Sequence, residues 1–128
     1  MGKFKLSARS LKALEGVHPD LVRVVKRAIE ISTIDFVVTE GLRSADRQKH
    51  LVKSGASKTM KSNHLTGHAV DVVAWKDGTV SYDMKLMREL SVGFKQAAAE
   101  LGVPIVWGGD WKSFVDTPHY ELDRKVYK

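Results

Sequence analysis

Two stretches of the chain carry apolar residues at helical spacing. The first helix is predicted to start at Pro19, a residue that suits the first turn, and to run to about Ser32. Its apolar face consists of Leu21, Val24, Val25, Ala28 and Ile29. The second helix is predicted to begin after the capping residue Asp83 and to end at Gly102. Its apolar stripe consists of Met87, Leu90, Phe94, Ala97, Ala98 and Leu101.

Two shorter helices are predicted from their capping residues. Ser7 suits the cap of a helix that ends at Gly16, and Ser44 suits the cap of a helix that covers Ala45 to about Lys53. A serine at this position accepts a hydrogen bond from a backbone N–H of the first turn, which has no partner inside the helix.

Runs of β-branched and aromatic residues predict four short strands. They cover residues 36–39, 69–75 and 105–107 and the segment that carries His119. Asp77-Gly78 and Gly108-Gly109 predict turns, and the polar residues 55–63 predict a loop. Because helices and strands intermix without a regular β-α-β alternation, the chain is predicted to be α+β. Its 128 residues predict one domain, spanning 1–128.

Charge and composition narrow the possible partners. The net charge of +6 favours encounters with polyanions, including acidic cell-wall polymers. The basic residues are scattered and form no nucleic-acid motif with aromatic residues. With no cysteine, a metal site cannot use thiolates. No apolar run reaches the length of about 18 residues that suggests a membrane span, and residues 1–7 lack the apolar core of a secretory signal. We therefore expect no nucleic-acid partner, no stable membrane insertion and a monomer.

The chemistry is concentrated in residues 62–71, which read SNHLTGHAVD and hold two imidazoles and one carboxylate. A further imidazole, His119, lies near the C-terminus. Two histidines and one carboxylate around an open fourth position suit a catalytic zinc. Three histidines, His64, His68 and His119, compete for the two places. The helical zinc motif HExxH is absent from the sequence.

Strand periodicity helps to choose among these histidines. On a strand from residue 69, His68 and Asp71 point to opposite faces, and the valines on the His68 side predict that this side is core. His64 and Asp71 are also out of phase, but one extra residue in a bulge at Gly67 restores their phase. This interpretation favours His64 with Asp71 as ligands and leaves His68 packed or outside the ligand set.

The motif Ser-x-His-x-x-Gly-x-Ala-x-Asp from Ser62 to Asp71, followed by Trp107-Gly108-Gly109 and Asp116-x-x-His119, resembles the zinc D-alanyl-D-alanine carboxypeptidases and dipeptidases. The chain is more closely similar to phage L-alanyl-D-glutamate endopeptidases, the endolysins of that group. The similarity runs from about Gly41 to Glu121.

The resemblance implies a small antiparallel sheet flanked by helices, a fold shared with the hedgehog signalling domain. It implies one Zn²⁺ per chain, bound by His64, Asp71 and His119. It also implies that Asp116 is the general base and that Arg43 stabilises the oxyanion.

Three further residues are candidates for substrate binding or for support of the metal ligands. Ser62 is a candidate for holding a substrate carboxylate or a ligand. Glu121 is in phase with His119 on the last strand, so it is predicted to orient a ligand histidine, with the role of base as its alternative. Trp107 is equally compatible with the core and with a substrate wall, and Trp111 is expected in the core or at the rim.

These features predict a zinc metallopeptidase that hydrolyses peptidoglycan stem peptides, with L-Ala-D-Glu as the preferred bond. The expected role is that of a phage endolysin, held in the host bacterial cytoplasm until its release to the cell wall. Three alternatives remain open at this point. One is a D-alanyl-D-alanine carboxypeptidase or dipeptidase, and another is a non-catalytic binding module that keeps the fold and the zinc. The third and weaker alternative is a basic nucleic-acid binder.

Overall fold

A computed structural model describes residues 4–55, 63–112 and 115–127. Within these residues the chain forms four α-helices, five strands and two short 3-10 helices. The helices are α1 (Ala8–Ala13), α2 (Pro19–Ile31), α3 (Ala45–Lys53) and α4 (Met84–Leu101). The strands are β1 (Phe36–Glu40), β2 (Ala69–Lys76), β3 (Thr79–Ser81), β4 (Ile105–Trp107) and β5 (His119–Leu122). The 3-10 helices are Asn63–Thr66 and Gly108–Asp110.

The helix boundaries follow the capping residues. The side chains of Ser7, Ser44 and Asp83 each accept a backbone hydrogen bond at the start of α1, α3 and α4. Gly102 ends α4 in the left-handed conformation, with φ of 69°. These predictions are confirmed, except that α1 ends three residues before Gly16, at Ala13. The Nδ1 atom of His18 caps α2 by accepting a hydrogen bond from the Asp20 N–H.

The five strands form one antiparallel sheet in the order β1-β2-β5-β4, with β3 also paired to β2. Strand β3 was not predicted, because Asp77-Gly78 indicates a turn and the strand after it has only three residues. The turn is present, with both residues at positive φ, and it continues into a short hairpin. The α+β prediction is confirmed. None of the helices described has the length and apolarity needed to cross a membrane.

The hydrophobic core lies on one face of the sheet, where helices α2 and α4 pack against each other and α4 packs against β2. Val70, Val72 and Ala74 of β2 belong to this core and are fully buried. Because successive side chains of a strand point to opposite faces, Asp71 faces the other way. Packing against the core therefore holds β2 in place, and Asp71 projects from the face of β2 that is turned away from α2 and α4.

The predicted geometry of His64 was wrong. His64 does not lie on an extension of β2 with a bulge at Gly67, but on the 3-10 helix Asn63–Thr66 that precedes the strand. Gly67 turns the chain into β2 with φ of 76°, and a Cβ there would stand 2.6 Å from the carbonyl oxygen of Gly16. Gly67 is thus required by a left-handed turn and a close backbone approach. His64 does lie beside Asp71, as strand periodicity predicted, but in a different local structure.

Candidate metal centre

Asp71 and His119 form a cross-strand pair. They stand directly opposite each other in the antiparallel register of β2 and β5, so their side chains share one face of the sheet. The Oδ1 atom of Asp71 lies 3.5 Å from Nδ1 of His119. Backbone pairing alone therefore holds two potential metal ligands side by side.

His64 approaches the same carboxylate from the 3-10 helix. Its Nε2 atom lies 3.2 Å from Oδ1 of Asp71, and the side chain is only 2% exposed. Its Nδ1 atom lies 2.9 Å from the carbonyl oxygen of Gly41. Because a carbonyl only accepts hydrogen bonds, Nδ1 carries the proton in the neutral ring. This tautomer leaves the Nε2 lone pair directed at the Asp71 side.

His119 is fixed in the complementary way. Its Nε2 atom lies 2.7 Å from Oε1 of Glu121, which leaves Nδ1 on the side of Asp71. Glu121 is itself held through Oε2, which accepts a hydrogen bond from the Asn63 amide at 3.0 Å and lies 3.3 Å from Nε of Arg124. A carboxylate behind a histidine is a common support for metal ligands.

The donor set fits one small divalent ion. One ligand atom from each of His64, Asp71 and His119 lies within 4.8 Å of the others. At zinc–ligand distances of about 2.0–2.1 Å, two corners of a tetrahedron are roughly 3.4 Å apart. The measured separations to Asp71 Oδ1, 3.2 Å from His64 and 3.5 Å from His119, match that edge. Two nitrogens and one oxygen leave the fourth corner open.

Burial and mutual contact shift the pKa values of Asp71 and His119 in opposite directions. Burial raises the pKa of Asp71, but the hydrogen bond from His119 and the close approach of the His64 ring outweigh burial and hold the pKa well below its usual range. Burial lowers the pKa of His119, but hydrogen bonds to Asp71 and Glu121 outweigh it and raise the pKa to about 9. In the metal-free protein the two residues therefore form an ion pair at neutral pH.

Asp116 lies within electrostatic reach of the same cluster. Burial and the Asp71 carboxylate raise the pKa of Asp116 above its usual value. The segment is tied down at both sides, because the Asp116 N–H donates to the Gly108 carbonyl at 3.1 Å and its carbonyl accepts from the His119 N–H at 3.2 Å. A Cβ on Gly108 would stand 2.3 Å from the Asp116 carbonyl oxygen. This glycine thus accommodates the Asp116 segment of the same chain.

Arg43 is a buried cation at the edge of the cluster. Its Nε and NH2 atoms donate to the two carboxylate oxygens of Glu40 at 2.7 and 3.0 Å, and NH1 donates to Oε1 of Gln48 at 2.6 Å. NH2 also lies 3.6 Å from Oδ2 of Asp71. Its backbone N–H donates to the carbonyl of His64 at 2.8 Å, which ties the arginine to a candidate ligand.

The remaining candidates fall in different places. Trp107 is buried in the core, and its indole N–H donates to the carbonyl of Thr117 at 2.7 Å. Trp111 is half-buried, with its ring centroid 5.1 Å from that of His119. His68 is half-buried, bonds to Thr66 Oγ1 at 2.6 Å and lies beside the ring of His18. Ser62 lies outside the described residues.

Sequence reasoning missed three residues that hold this cluster together: Glu40, Gln48 and Asn63. Asn63 had a usable signal, since it is adjacent to His64 inside the motif. Glu40 lies three residues before Arg43, a common spacing for an ion pair, but nothing in the sequence distinguishes it from a solvated glutamate. Gln48 is fully buried in α3, which its polar neighbours in the sequence do not suggest.

Comparison with known proteins identifies the family of the chain. Residues 1–128 match the family described as phage L-alanyl-D-glutamate peptidase. The chain is 33% identical to the L-alanyl-D-glutamate peptidase of Escherichia phage T5, over 97% of this chain and 93% of that protein.

Two solved structures share the fold. The Serratia marcescens L-Ala D-Glu endopeptidase ChiX matches with a TM-score of 0.92 and 46% identity, over 98% of this chain and 94% of that one. The vancomycin resistance D,D-dipeptidase VanXYg matches with a TM-score of 0.52 and 17% identity, over 83% of this chain and 50% of that one, which shows a common fold alone. The chain therefore belongs to the phage L-alanyl-D-glutamate peptidase family.

Proposed function

We propose that residues 1–128 form a single zinc peptidase domain that hydrolyses the L-Ala-D-Glu bond of peptidoglycan stem peptides. The observation that carries this proposal is the convergence of one donor atom each from His64, Asp71 and His119 within 4.8 Å, in a chain of this family. The family assignment favours a peptidase over a non-catalytic module. The dipeptidase alternative has weaker support, because VanXYg shares only 17% identity.

Zinc is the proposed ion because it accepts two imidazoles and one carboxylate in a tetrahedral site and keeps a fourth position open for catalysis. When bound, zinc would polarise the scissile carbonyl and lower the pKa of a coordinated water toward neutrality. His64 would bind it through Nε2 and His119 through Nδ1, since their other ring nitrogens contact Gly41 and Glu121.

Asp116 is proposed as the general base. It would take a proton from the attacking water and deliver that proton to the amine leaving group. An ordinary aspartate is a weak base, and in the metal-free protein burial and the Asp71 carboxylate raise the pKa of Asp116, which is the direction that strengthens a base. The backbone bonds to Gly108 and His119 hold its segment beside the ligands. Glu121 is less suited to act as base, because its carboxylate contacts His119 and Asn63.

Arg43 is proposed to stabilise the negative oxygen of the tetrahedral intermediate. A guanidinium has five N–H groups and stays protonated, and the bonds to Glu40 and Gln48 use three of them. The side chain is buried, so its charge acts in a medium of low dielectric. Loss of one such donor commonly costs about 3–4 kcal/mol of transition-state stabilisation.

The biological role proposed is that of a phage endolysin. Support comes from the family and from the relative in phage T5. The net charge of +6 favours approach to an anionic cell wall. We propose that the protein acts as a monomer without a nucleic-acid partner, and that it stays in the host bacterial cytoplasm until release to the wall.

Digestion of purified sacculi tests the proposal. Mass spectrometry of the products is expected to show stem peptides that begin at D-Glu, with L-Ala left on the muramic acid. A chelator is expected to abolish release, and added zinc to restore it. His64→Ala should lose zinc and activity, whereas His50→Ala, at an exposed histidine of α3, should keep both. Release of terminal D-Ala, or cleavage that continues in chelator, would contradict the proposal.

A further inference from the structure

We infer that Glu40 is a positioning residue, which holds the guanidinium of Arg43 beside the candidate metal site and keeps it from closing fully on Asp71. This inference rests on the proposed role of Arg43 at the oxyanion. Glu40 is not itself one of the three candidate ligands, although it stands opposite one of them, Asp71, in the sheet. Its proposed effect on the reaction passes through Arg43.

A bulge in β1 puts Glu40 next to the cluster. The register between β1 and β2 shifts between Val38 and Glu40, so that Glu40 stands opposite Asp71. Asp71 in turn stands opposite His119 on β5, and the three residues form one row across three strands. A bulge re-aims the side chains that follow it, which makes it a way to bring one specific residue into a site.

Two carboxylates facing each other across a strand pair repel, and the repulsion is stronger where they are partly buried, as Glu40 and Asp71 are. Here Arg43 contacts both of them. It makes two hydrogen bonds to Glu40, at 2.7 and 3.0 Å, and lies at the longer distance of 3.6 Å from Asp71 Oδ2. The arginine is therefore shared unequally, and its planar fork is matched to Glu40.

The unequal sharing has a chemical consequence. An arginine that closed on Asp71 would draw negative charge away from a metal ligand and turn from the position of the oxyanion. Glu40 competes with Asp71 for the guanidinium, and the fully buried Gln48 accepts a hydrogen bond from Nη1 at 2.6 Å. Glu40 and Gln48 together hold three of the five N–H groups of Arg43. Displacement of a catalytic group by about 1 Å commonly costs up to 100-fold in rate.

Glu40→Gln tests the inference, because it removes the charge and one of the two acceptor atoms while it keeps the size. We expect kcat on a soluble muropeptide to fall about 10- to 100-fold, with KM changed less than about threefold. Zinc content and thermal midpoint should stay close to those of the parent protein. Glu100→Gln is the matched control, since Glu100 also accepts two N–H groups from one arginine, Arg27, but in an exposed ion pair. It should leave kcat unchanged.

A double-mutant cycle separates positioning from general support of the fold. If Glu40 acts through Arg43, Glu40→Gln should cost kcat in the parent protein and almost nothing in an Arg43→Ala background. Arg43→Lys provides a second background in case Arg43→Ala folds poorly, because lysine keeps the charge but cannot engage both oxygens of Glu40.

Each outcome of the cycle is decisive. An equal loss from Glu40→Gln in every background overturns the inference. The inference is also overturned if Glu40→Gln leaves kcat unchanged while Arg43→Ala strongly lowers it. In that case the proposed role of Arg43 stands. Near-normal kcat in Arg43→Ala overturns the oxyanion assignment itself, and this inference with it, while zinc-dependent cleavage by the parent protein would still support the rest of the proposed function.

Discussion

Glu121 lies 2.7 Å from the Nε2 atom of His119, and both side chains are almost fully buried. The two residues are two positions apart on β5, so the strand itself places them on one face. The Glu121 carboxylate accepts a hydrogen bond from the ring Nε2–H and orients Nδ1 toward Asp71. The candidate ligand His119 and the residue that supports it therefore lie on the same short strand.

The first prediction concerns this support. Glu121→Gln should weaken zinc affinity about 10- to 100-fold, because the neutral amide polarises the imidazole less and orients it less firmly. Competition with a chromogenic chelator measures the change. Glu100→Gln, at an exposed position, should have no effect on affinity. Unchanged zinc affinity in Glu121→Gln would show that the negative charge of Glu121 is not needed to support the His119 ring.

The second prediction separates the base from the ligands. Asp116→Asn should bind zinc normally and lose about 10²- to 10⁴-fold in kcat, because the amide cannot accept the proton of the water. His119→Ala should instead lose the metal. Zinc content by elemental analysis and kcat on the same preparation check both. Cleavage at a near-normal rate by Asp116→Asn would remove this residue from the role of base.

The third prediction is a pH dependence of metal binding. The pKa of His119 is raised from 6.5 to about 9 in the metal-free protein, so its proton stabilises the fold below pH 6.5 and that stabilisation is lost as pH rises through about 9. Zinc needs the neutral ring and must displace this proton. Zinc affinity should therefore rise roughly tenfold per pH unit across that window while the ring alone titrates.

Calorimetry of zinc binding at neutral pH, in buffers with different ionisation enthalpies, measures the protons released. We expect a release of about one proton from His119. In Glu121→Gln the pKa of His119 should be lower, since one of the groups that raise it is gone. The variant should then release fewer protons at the same pH. A zinc affinity that does not change with pH in the parent protein would contradict the ion pair between Asp71 and His119.

The fourth prediction tests the turn before β2. Gly67 and Gly78 both have positive φ, 76° and 79°, but a Cβ on Gly67 would meet the Gly16 carbonyl at 2.6 Å and one on Gly78 would meet nothing within 4 Å. Gly78→Ala should cost about 1–2 kcal/mol of unfolding free energy from backbone strain. Gly67→Ala should cost more than about 3 kcal/mol, since strain and clash add. Urea denaturation compares them, and equal costs would rule out the clash.

Much of this structure was accessible from local patterns. Capping by Ser44 and Asp83 and the left-handed end at Gly102 depend on neighbours in sequence, and all three are confirmed. The pairing of Asp71 with His119 depends on a register between strands far apart in the chain, which periodicity does not determine. The chemistry of two histidines and one carboxylate made His119 a candidate partner of Asp71, and the resemblance to a known family then implied that both bind one metal.

Other features had no signal of their own. The 3-10 helix that carries His64 is short, and the valines that follow it dominate the pattern, so an extended strand was the natural but wrong interpretation. The bulge before Glu40 also leaves no signal in the sequence, because a bulge is defined by the register between β1 and its partner strand β2. Strand β3 is three residues long and mostly exposed, and it is stabilised by pairing more than by burial.

Because Asp71 and His119 lie side by side on paired strands, two of the candidate metal ligands are in place before an ion binds. The conformational entropy lost in bringing them together is lost when the sheet forms, so the proposed zinc ion would not have to offset it on binding. Demetallated protein should consequently keep its tertiary structure, in contrast to small zinc-nucleated modules that unravel in a chelator. In that case the folded protein would take up and release the proposed zinc ion without unfolding.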